Sequence, residues 1–183
     1  MKGRKSITQT IRLDTMTHQI LSAEAGRQRV SFNTLVANLL EDYVEYGRFA
    51  KRFKFVRFGP PAIATIFNEF SDDDLTKIGS TLGKKHPREM LAVFGLSFTL
   101  ENALRLLEYY LPEHAAWFKP PPDIKKEGEV WTIHLRHGIN RKWSLFLCEY
   151  TTAMFQALQA HKIEPADVQD YSTTLRMTHL NTK

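Results

Sequence analysis

The sequence contains one cysteine, Cys148, and no apolar run that approaches the ~18 residues of a membrane span. A single cysteine excludes an intrachain disulfide and a zinc site built from several thiolates of one chain. Phosphate-binding loops, dinucleotide-binding fingerprints and nucleophile elbows are also absent, so we expect no enzymatic activity. The opening residues MKGR are polar, so we expect no signal peptide, a cytoplasmic location and no membrane partner.

Positive charge is concentrated at one end of the chain. The first 57 residues hold eleven Lys or Arg and five Asp or Glu, whereas the remaining residues hold fourteen and fifteen. The net charge of +5 therefore arises entirely from the N-terminal part. A localised basic excess is typical of proteins that bind polyanions such as nucleic acids.

Residues 5–46 have the pattern of one strand followed by two helices. Polar residues alternate with Ile7, Gln9, Ile11 and Leu13, and this period of two predicts a strand. Asp14 predicts the N-cap of a helix from about Thr15 to Gly26, and Ser31 predicts the N-cap of a second helix. A wide apolar stripe follows on the second helix, formed by Phe32, Leu35, Val36, Leu39, Leu40, Tyr43 and Val44.

Such a unit is not expected to fold alone. A lone strand has no partner for its backbone N–H and C=O groups, and about forty residues bury too little apolar surface for independent stability. Two chains would remedy both defects by pairing their strands antiparallel and interlocking their helices. We therefore predict a homodimer, and the pairing of dimers into a tetramer stays open.

Four features in this order resemble the ribbon-helix-helix (Arc/MetJ/CopG-type) family of DNA-binding domains. They are a strand ending in I-R-L-D, an amphipathic helix, a turn near residues 26–30, and S-F-N-T-L at the start of a second helix. The resemblance covers residues 5–48. It implies a two-stranded ribbon in the major groove of double-stranded DNA, and a prokaryotic, nucleoid-associated transcriptional regulator such as a repressor.

The resemblance also implies roles for particular residues. The outward strand positions Thr8, Thr10 and Arg12 would contact bases, because Arg can bond two acceptors of a guanine edge and Thr can donate, accept or touch a thymine methyl. DNA phosphates would be held by Lys5 and by the start of the second helix, where free amides and the positive dipole end favour an anion. The helix positions are Ser31, Phe32 and Asn33.

The predicted fold class is α+β, with an N-terminal ribbon-helix-helix (β-α-α) unit and a separate α+β domain. We place the boundary near residue 50, giving a DNA-binding and dimerisation domain, 1–50, and an effector-sensing or oligomerisation domain, 51–183. In the second domain, the patterns predict strands at 53–58, 90–98, 129–137 and 171–180 and helices at 61–70, 71–82, 99–111 and 143–160.

One segment of the second domain resembles a ligand site. A glycine turn leads from a strand to a helix start that carries two cations and an aromatic, which suits an anionic or aromatic effector. The candidate residues are His137, Arg141, Lys142 and Trp143; the alternative is that Asn140 is a plain N-cap and the two cations are solvated. A metal set from His134, His137, Cys148 and His161 is disfavoured, and we expect no metal or cofactor.

Two other functions stay open. The chain can be an antitoxin or assembly module whose C-terminal domain binds another protein. It can also be an architectural DNA binder without sequence preference, which predicts a steep salt dependence on every DNA sequence.

Overall fold

A computed structural model describes residues 7–49, 58–158 and 161–179 of the chain. The chain divides into two compact units, Met1–Arg48 and Phe49–Lys183. The described part of the first unit is helical, whereas the second combines helices with a four-stranded antiparallel sheet. The class is therefore α+β, but the N-terminal unit differs from the predicted β-α-α order.

The first unit contains two helices, α1 (Thr15–Gln28) and α2 (Phe32–Asp42), and α2 continues into a π-helical turn, Tyr43–Gly47. Asp14 caps α1 as predicted, since its carboxylate accepts a 2.9 Å hydrogen bond from the Thr17 amide. The end of α1 differs from the prediction. Gly26 lies inside the helix, and Arg29 closes it in the left-handed conformation, with φ of 56°.

The predicted N-terminal strand is wrong. Residues 7–14 have no regular secondary structure, and Ile7 is 88% exposed. A strand needs a neighbour to bond its backbone N–H and C=O groups, and within the described ranges no strand lies beside this segment. The regular structure of residues 7–48 therefore begins with a helix, and these residues lack the strand that defines a ribbon-helix-helix domain. Lys5 lies outside the described residues.

Two helices of the second unit begin at residues that the sequence pointed to as helix starts. Ser71 and Asp74 form a capping box, and Asn140 accepts a hydrogen bond from the Trp143 amide. The helices are α3 (Pro60–Asn68), α4 (Asp72–Val93), α5 (Leu100–Arg105), a π-helical segment (Leu106–Tyr110), α6 (Leu111–Ala115) and α7 (Arg141–Gln156). The strand predicted at 53–58 falls almost wholly outside the described residues, and Phe58 is not in a strand.

Helix α4 is much longer than predicted. It passes through Gly83 and Pro87 to Val93, so both its predicted end at 83–87 and the predicted strand at 90–98 are wrong. One face of α4 is buried every four residues and packs on α7; its members are Leu75, Gly79, Gly83, Pro87 and Leu91. Gly83 and Pro87 have low helix propensity, but the continuous packing of this face on α7 keeps the chain helical past them.

The sheet has the order β1-β2-β4-β3, formed by β1 (Asp123–Glu127), β2 (Val130–Arg136), β3 (His161–Val168) and β4 (Ser172–His179). The strands predicted at 129–137 and 171–180 correspond to β2 and β4, whereas β1 and β3 were not predicted. Pro165 obscured β3. Proline is tolerated there because β3 is an edge strand and its register shifts between Pro165 and Asp167.

The core of the second unit lies between the sheet and the helices. Ile133 on β2 pairs with Leu175 on β4, and both side chains are fully buried. Helix α7 packs on β3 and β4 and contributes buried Leu147 and Phe155. An edge-to-face aromatic cluster extends this core, formed by Phe67, Trp117, Trp143, Phe146 and Tyr150.

Candidate functional site

Residues 7–14, here called the N-terminal segment, contain the three predicted base-contacting residues. Thr8, Thr10 and Arg12 are all exposed. Among the described residues the Arg12 guanidinium has no recorded hydrogen bond or ion pair, so its five donors are available to a ligand. The segment ends at Asp14, where hydrogen bonds from Thr17 lower the pKa of the carboxyl. The cap holds the segment at the start of α1.

The start of α2 contains the predicted phosphate-binding positions. Ser31 Oγ accepts a 3.0 Å hydrogen bond from the Thr34 amide and lies 2.7 Å from Thr34 Oγ1, so its hydroxyl is engaged in capping. Asn33 is exposed, and the half-buried Phe32 ring lies 5.0 Å from the His18 ring. Within the described part of the chain, the Phe32 and Asn33 amides have no recorded acceptor. This helix start therefore retains two donors for an anion.

Arg27 and Arg48, two of the other arginines of the first unit, differ from Arg12 in their contacts. Arg27 forms a 2.6 Å ion pair with Glu24 on the same helix. Arg48 donates from Nε to the Val44 carbonyl at 2.6 Å. Arg12 is thus distinguished from both by its lack of a recorded partner among the described residues, which makes Arg27 a suitable control for it.

The first unit exposes an unusual amount of apolar surface, here called the first-unit apolar surface. Its members are between 36% and 88% exposed: Ile7, Ile11, Leu13, Met16, Ile20, Leu39, Leu40, Tyr43 and Val44. Of the stripe predicted on the second helix, only Leu35 is buried. Contiguous exposed apolar residues generally mark interaction sites, and Leu39, Leu40, Tyr43 and Val44 follow one another along a single helical stretch. This surface is the strongest indication that the first unit binds a partner.

In the second unit, the turn before α7 is held by Asn140. Its Oδ1 accepts a 2.9 Å hydrogen bond from the Trp143 amide. Its Nδ2 donates to the Ala64 carbonyl at 3.3 Å and to Asn68 Oδ1 at 3.1 Å. Asn140, for which a plain N-cap was the alternative to an effector site, is therefore an N-cap that also joins α7 to α3.

The two cations of the predicted effector site are engaged in contacts within the second unit. Lys142 Nζ donates to the Asn68 carbonyl at 3.0 Å and to the Phe70 carbonyl, at the C-terminal end of α3. Arg141 lies 3.3 Å from the Asp72 carboxylate in an exposed ion pair. Trp143 is buried and donates its indole N–H to the Trp117 carbonyl at 3.1 Å. Effector binding at these residues stays a prediction, and an effector would have to compete with these contacts.

His137 is a buried, neutral hydrogen-bonding residue. Its Nδ1 accepts a hydrogen bond from the Ile139 amide at 3.2 Å, so the ring proton is on Nε2, which donates to Ser144 Oγ at 2.7 Å. Burial lowers the pKa of His137 to about 4. This arrangement does not activate Ser144 as a nucleophile, because a general base must accept the serine proton on a free nitrogen. Ser144 is also fully buried.

A second buried histidine contact was not predicted. His86 Nδ1 lies 2.9 Å from the Tyr150 hydroxyl, and the Trp117 ring is stacked on His86 with a centroid distance of 6.1 Å. Burial lowers the pKa of His86 and raises that of Tyr150, so the pair is a hydrogen bond between a neutral imidazole and a neutral phenol. The pair joins α4 to α7. Its partners are 64 residues apart, and no local sequence pattern indicates such a contact.

A search of the described residues found no group of three or more His, Cys, Asp or Glu side chains arranged to hold a metal ion. His134 instead bonds Thr174 Oγ1 through Nδ1 at 2.8 Å, and Cys148 is buried, which raises the pKa of its thiol. Over the same residues, no helix is both long and apolar enough to cross a membrane.

Comparison of the chain with protein-family models and with curated proteins found no match. Its function is therefore inferred from its own residues.

Proposed function

We propose that this protein is a sequence-specific DNA-binding transcriptional regulator that acts as a homodimer through its first unit. The observation that carries the proposal is the N-terminal segment, in which Thr8, Thr10 and Arg12 are exposed at the basic end of the chain. The proposal does not include a β-ribbon. The DNA-contacting element would be the irregular segment immediately before α1.

The chemistry of the segment suits contact with base edges. The Arg12 guanidinium matches the two acceptors of guanine in the major groove, and the threonines combine a hydroxyl with a methyl group. The Phe32 and Asn33 amides at the start of α2, together with Lys5 by its place in the sequence, would contact phosphates. Phosphate contacts fix the orientation of a protein on DNA, whereas base contacts carry the specificity.

The homodimer is supported by the first-unit apolar surface. Leu39 and Tyr43, and likewise Leu40 and Val44, are four residues apart along the helical stretch that begins with α2, so each pair shares a face and is about half exposed. Covering such residues with a second copy removes apolar area from water, which stabilises a dimer by ~25 cal/mol per Å². A dimer would also place two N-terminal segments on one DNA site.

The first experiment is selection of bound DNA from a random pool with the purified full-length protein at a stated salt concentration. We expect enrichment of a short repeated or palindromic site, as a symmetric dimer requires. Retention of all sequences with a steep salt dependence would replace the proposal with architectural binding. Failure to retain any DNA at low salt would contradict DNA binding altogether.

The base-contacting role of Arg12 is tested by Arg12→Ala on the selected site. We expect a loss of about 1–3 kcal/mol in binding and relaxed preference at one base position, with a smaller loss on random DNA. Arg27→Ala is the matched control, because it removes the same charge from a side chain already paired with Glu24. Equal weakening by Arg12→Ala on selected and random DNA would show a phosphate contact instead.

One observation also favours a second function. The first-unit apolar surface would equally receive a different protein, as expected of an antitoxin or assembly module. Co-purification of a stoichiometric second protein from the native host, with no homodimer on sedimentation of the separated chain, would favour that function.

A further inference from the structure

A shallow groove of about 660 Å³ lies at one end of the sheet of the second unit. It is lined by the end of β2, the turn between β3 and β4, and the loop that precedes β1. Its volume is within the range of about 300–1,000 Å³ found for small-molecule sites. We propose that this sheet-end groove binds a small planar aromatic acid, in which a ring carries a carboxylate or phosphate.

Backbone hydrogen bonds hold the walls of the groove together. The Lys119 amide donates to the Arg136 carbonyl at 3.0 Å, and the His137 amide donates to the Tyr171 carbonyl at 2.9 Å. The turn between β3 and β4 is closed by the Gln169 amide, which donates to the Ser172 carbonyl at 2.9 Å. The main-chain positions are therefore preorganised, and the ordering cost of binding is confined to the side chains that contact the ligand.

The charges of the groove favour an anion. Its lining contains two cations, Lys119 and Arg136, and one carboxylate, Asp170. Neither cation has an ion pair recorded within the described ranges, whereas Lys125 and Lys162 elsewhere in the sheet each pair with a carboxylate. A guanidinium binds carboxylate or phosphate in a bidentate manner, so Arg136 is the expected anchor for the acid group.

The aromatic part of the ligand is indicated by Tyr171 and His137. Tyr171 lines the groove, and its side chain is 60% exposed. His137 contributes a buried ring whose two nitrogens are both engaged, with the Ile139 amide and with Ser144 Oγ. The exposed phenol of Tyr171 offers flat surface for a ligand ring, and the buried His137 forms part of the groove wall.

The groove is distinct from the predicted effector site. The two share only His137, and Arg141 and Lys142 are occupied by contacts with the region of α3 and the start of α4. Binding in the groove does not depend on the proposed DNA-binding function, because all its residues belong to the second unit.

The test is a two-dimensional NMR titration of the ¹⁵N-labelled full-length protein with benzoate and with phenyl phosphate. We expect saturable shifts of the amides of Arg136, His137 and Tyr171 at concentrations up to about 10 mM, above the millimolar Kd typical of a shallow site. Phenol and inorganic phosphate are the control ligands. Absence of saturable shifts with both acids, or equally tight binding of inorganic phosphate alone, would overturn the proposal.

Arg136→Gln is expected to weaken binding of the acids at least tenfold, because the bidentate anchor is lost while the backbone hydrogen bonds remain. Arg176→Gln is the matched control, since Arg176 is an exposed arginine in the same sheet with no recorded ion pair among the described residues. Tyr171→Ala should weaken benzoate more than inorganic phosphate. Equal losses in Arg136→Gln and Arg176→Gln would show general charge attraction and would contradict a site in the groove.

Discussion

The two units of the chain differ in how much of their apolar surface they bury themselves. The second unit encloses large side chains with essentially no exposure, such as Leu75, Leu107, Ile133 and Leu147. In the first unit, the buried hydrophobic residues are Ala25, Leu35 and Tyr46, while nine others are at least 36% exposed. The second unit therefore has a hydrophobic core of its own. The first unit buries few of its apolar side chains and needs a further surface to complete a core.

The difference follows from the number of layers. Helices of the second unit pack on each other and on one face of a sheet, which gives each apolar face a partner. The described part of the first unit has two helices, and a pair of helices cannot cover the wide apolar stripe of α2. A stable core there needs surface from elsewhere, which the proposed homodimer would supply.

The largest expected effect is the loss of stability when the core of the second unit is overpacked at Gly83. In Gly83→Ala the new Cβ would collide with the Tyr150 carbonyl oxygen and lie 3.0 Å from Ala153 Cβ, so α4 and α7 would have to separate. We expect a loss of roughly 3 kcal/mol in the free energy of unfolding, at the upper end of overpacking costs. Urea unfolding of the full-length protein measures it.

Gly26→Ala is the matched control for Gly83→Ala. Gly26 is inside helix α1 and has nothing within 4 Å of an added Cβ, so alanine should raise stability by about 0.5–1 kcal/mol through helix propensity. If the two substitutions had the same effect, the close approach of α4 to α7 would not be a determinant of stability.

An effect of intermediate size is expected when acid lowers the free energy of unfolding, because His137 in the second unit is buried in its neutral form. Its folded-state pKa of about 4 is lowered from 6.5 by burial, so the unfolded chain binds the proton more tightly. Stability should therefore fall as pH decreases from 6.5 to about 4 and level off below that. With partial screening by water, the loss at this residue is roughly 2 kcal/mol.

The measurement is urea unfolding between pH 7 and pH 4 for the wild type and for His137→Gln. The variant should be less stable at neutral pH, because the bonds to Ser144 and the Ile139 amide change, but its stability should depend less on pH. Subtracting the two curves removes the contributions of other titrating groups. An identical pH dependence in both proteins would contradict a neutral buried His137.

The smallest expected effect is on dimerisation, and it tests whether exposed leucines of the two units differ in function. Leu39→Lys places a charge on the first-unit apolar surface, where Leu39 is 46% exposed. If a second copy covers this surface, the dimer dissociation constant should rise at least tenfold, or about 1.4 kcal/mol. Sedimentation equilibrium of the full-length protein measures the change.

Leu82→Lys supplies the control, since Leu82 is a leucine of α4 with a similar exposure of 43%. Exposed substitutions away from interfaces usually change stability by no more than about 0.5 kcal/mol, and association should be unaffected. Equal behaviour of the two variants would show that exposure in the first unit has no special meaning and would remove the main support for the homodimer.

Helix starts were predictable from the sequence because capping is local. Asp14, Ser31 and Ser71 each accept a hydrogen bond from an amide three residues ahead, so the signal lies within four consecutive residues. The same holds for Thr99 and Asn140. The alternation at 130–136 and 172–179 was equally informative, because one face of β2 and of β4 is buried.

The wrong predictions concern segments whose structure depends on distant neighbours. The alternation at 7–13 resembles a strand, but the described chain provides no strand beside it. Pro87 and the apolar run after it favoured a helix end and a strand, yet packing on α7 keeps the chain helical to Val93. Pro165 disfavoured a strand, yet an edge position and a register shift accommodate it.

The candidate sites also divide into features visible in the local sequence and features that depend on residues far apart in the chain. Thr8, Thr10 and Arg12 are exposed, but so are all residues from 7 to 14, so their contact with DNA stays a prediction. Lys119, Arg136 and Tyr171 gave no joint signal, because the sheet brings together residues from three separate parts of the chain. The cations Arg141 and Lys142, by contrast, were conspicuous in sequence, and the fold engages them in bonds between helices.

The sequence by itself determined where the helices start, which strand faces are apolar, and that positive charge gathers at one end. These properties depend on residues within one or two turns or on simple counts. The tertiary structure alone decided that α4 runs past two glycines and a proline, that a sheet-end groove forms, and that the first unit leaves its apolar surface uncovered. The physical reason is that burial depends on which surfaces meet, and those surfaces come from residues far apart in the chain.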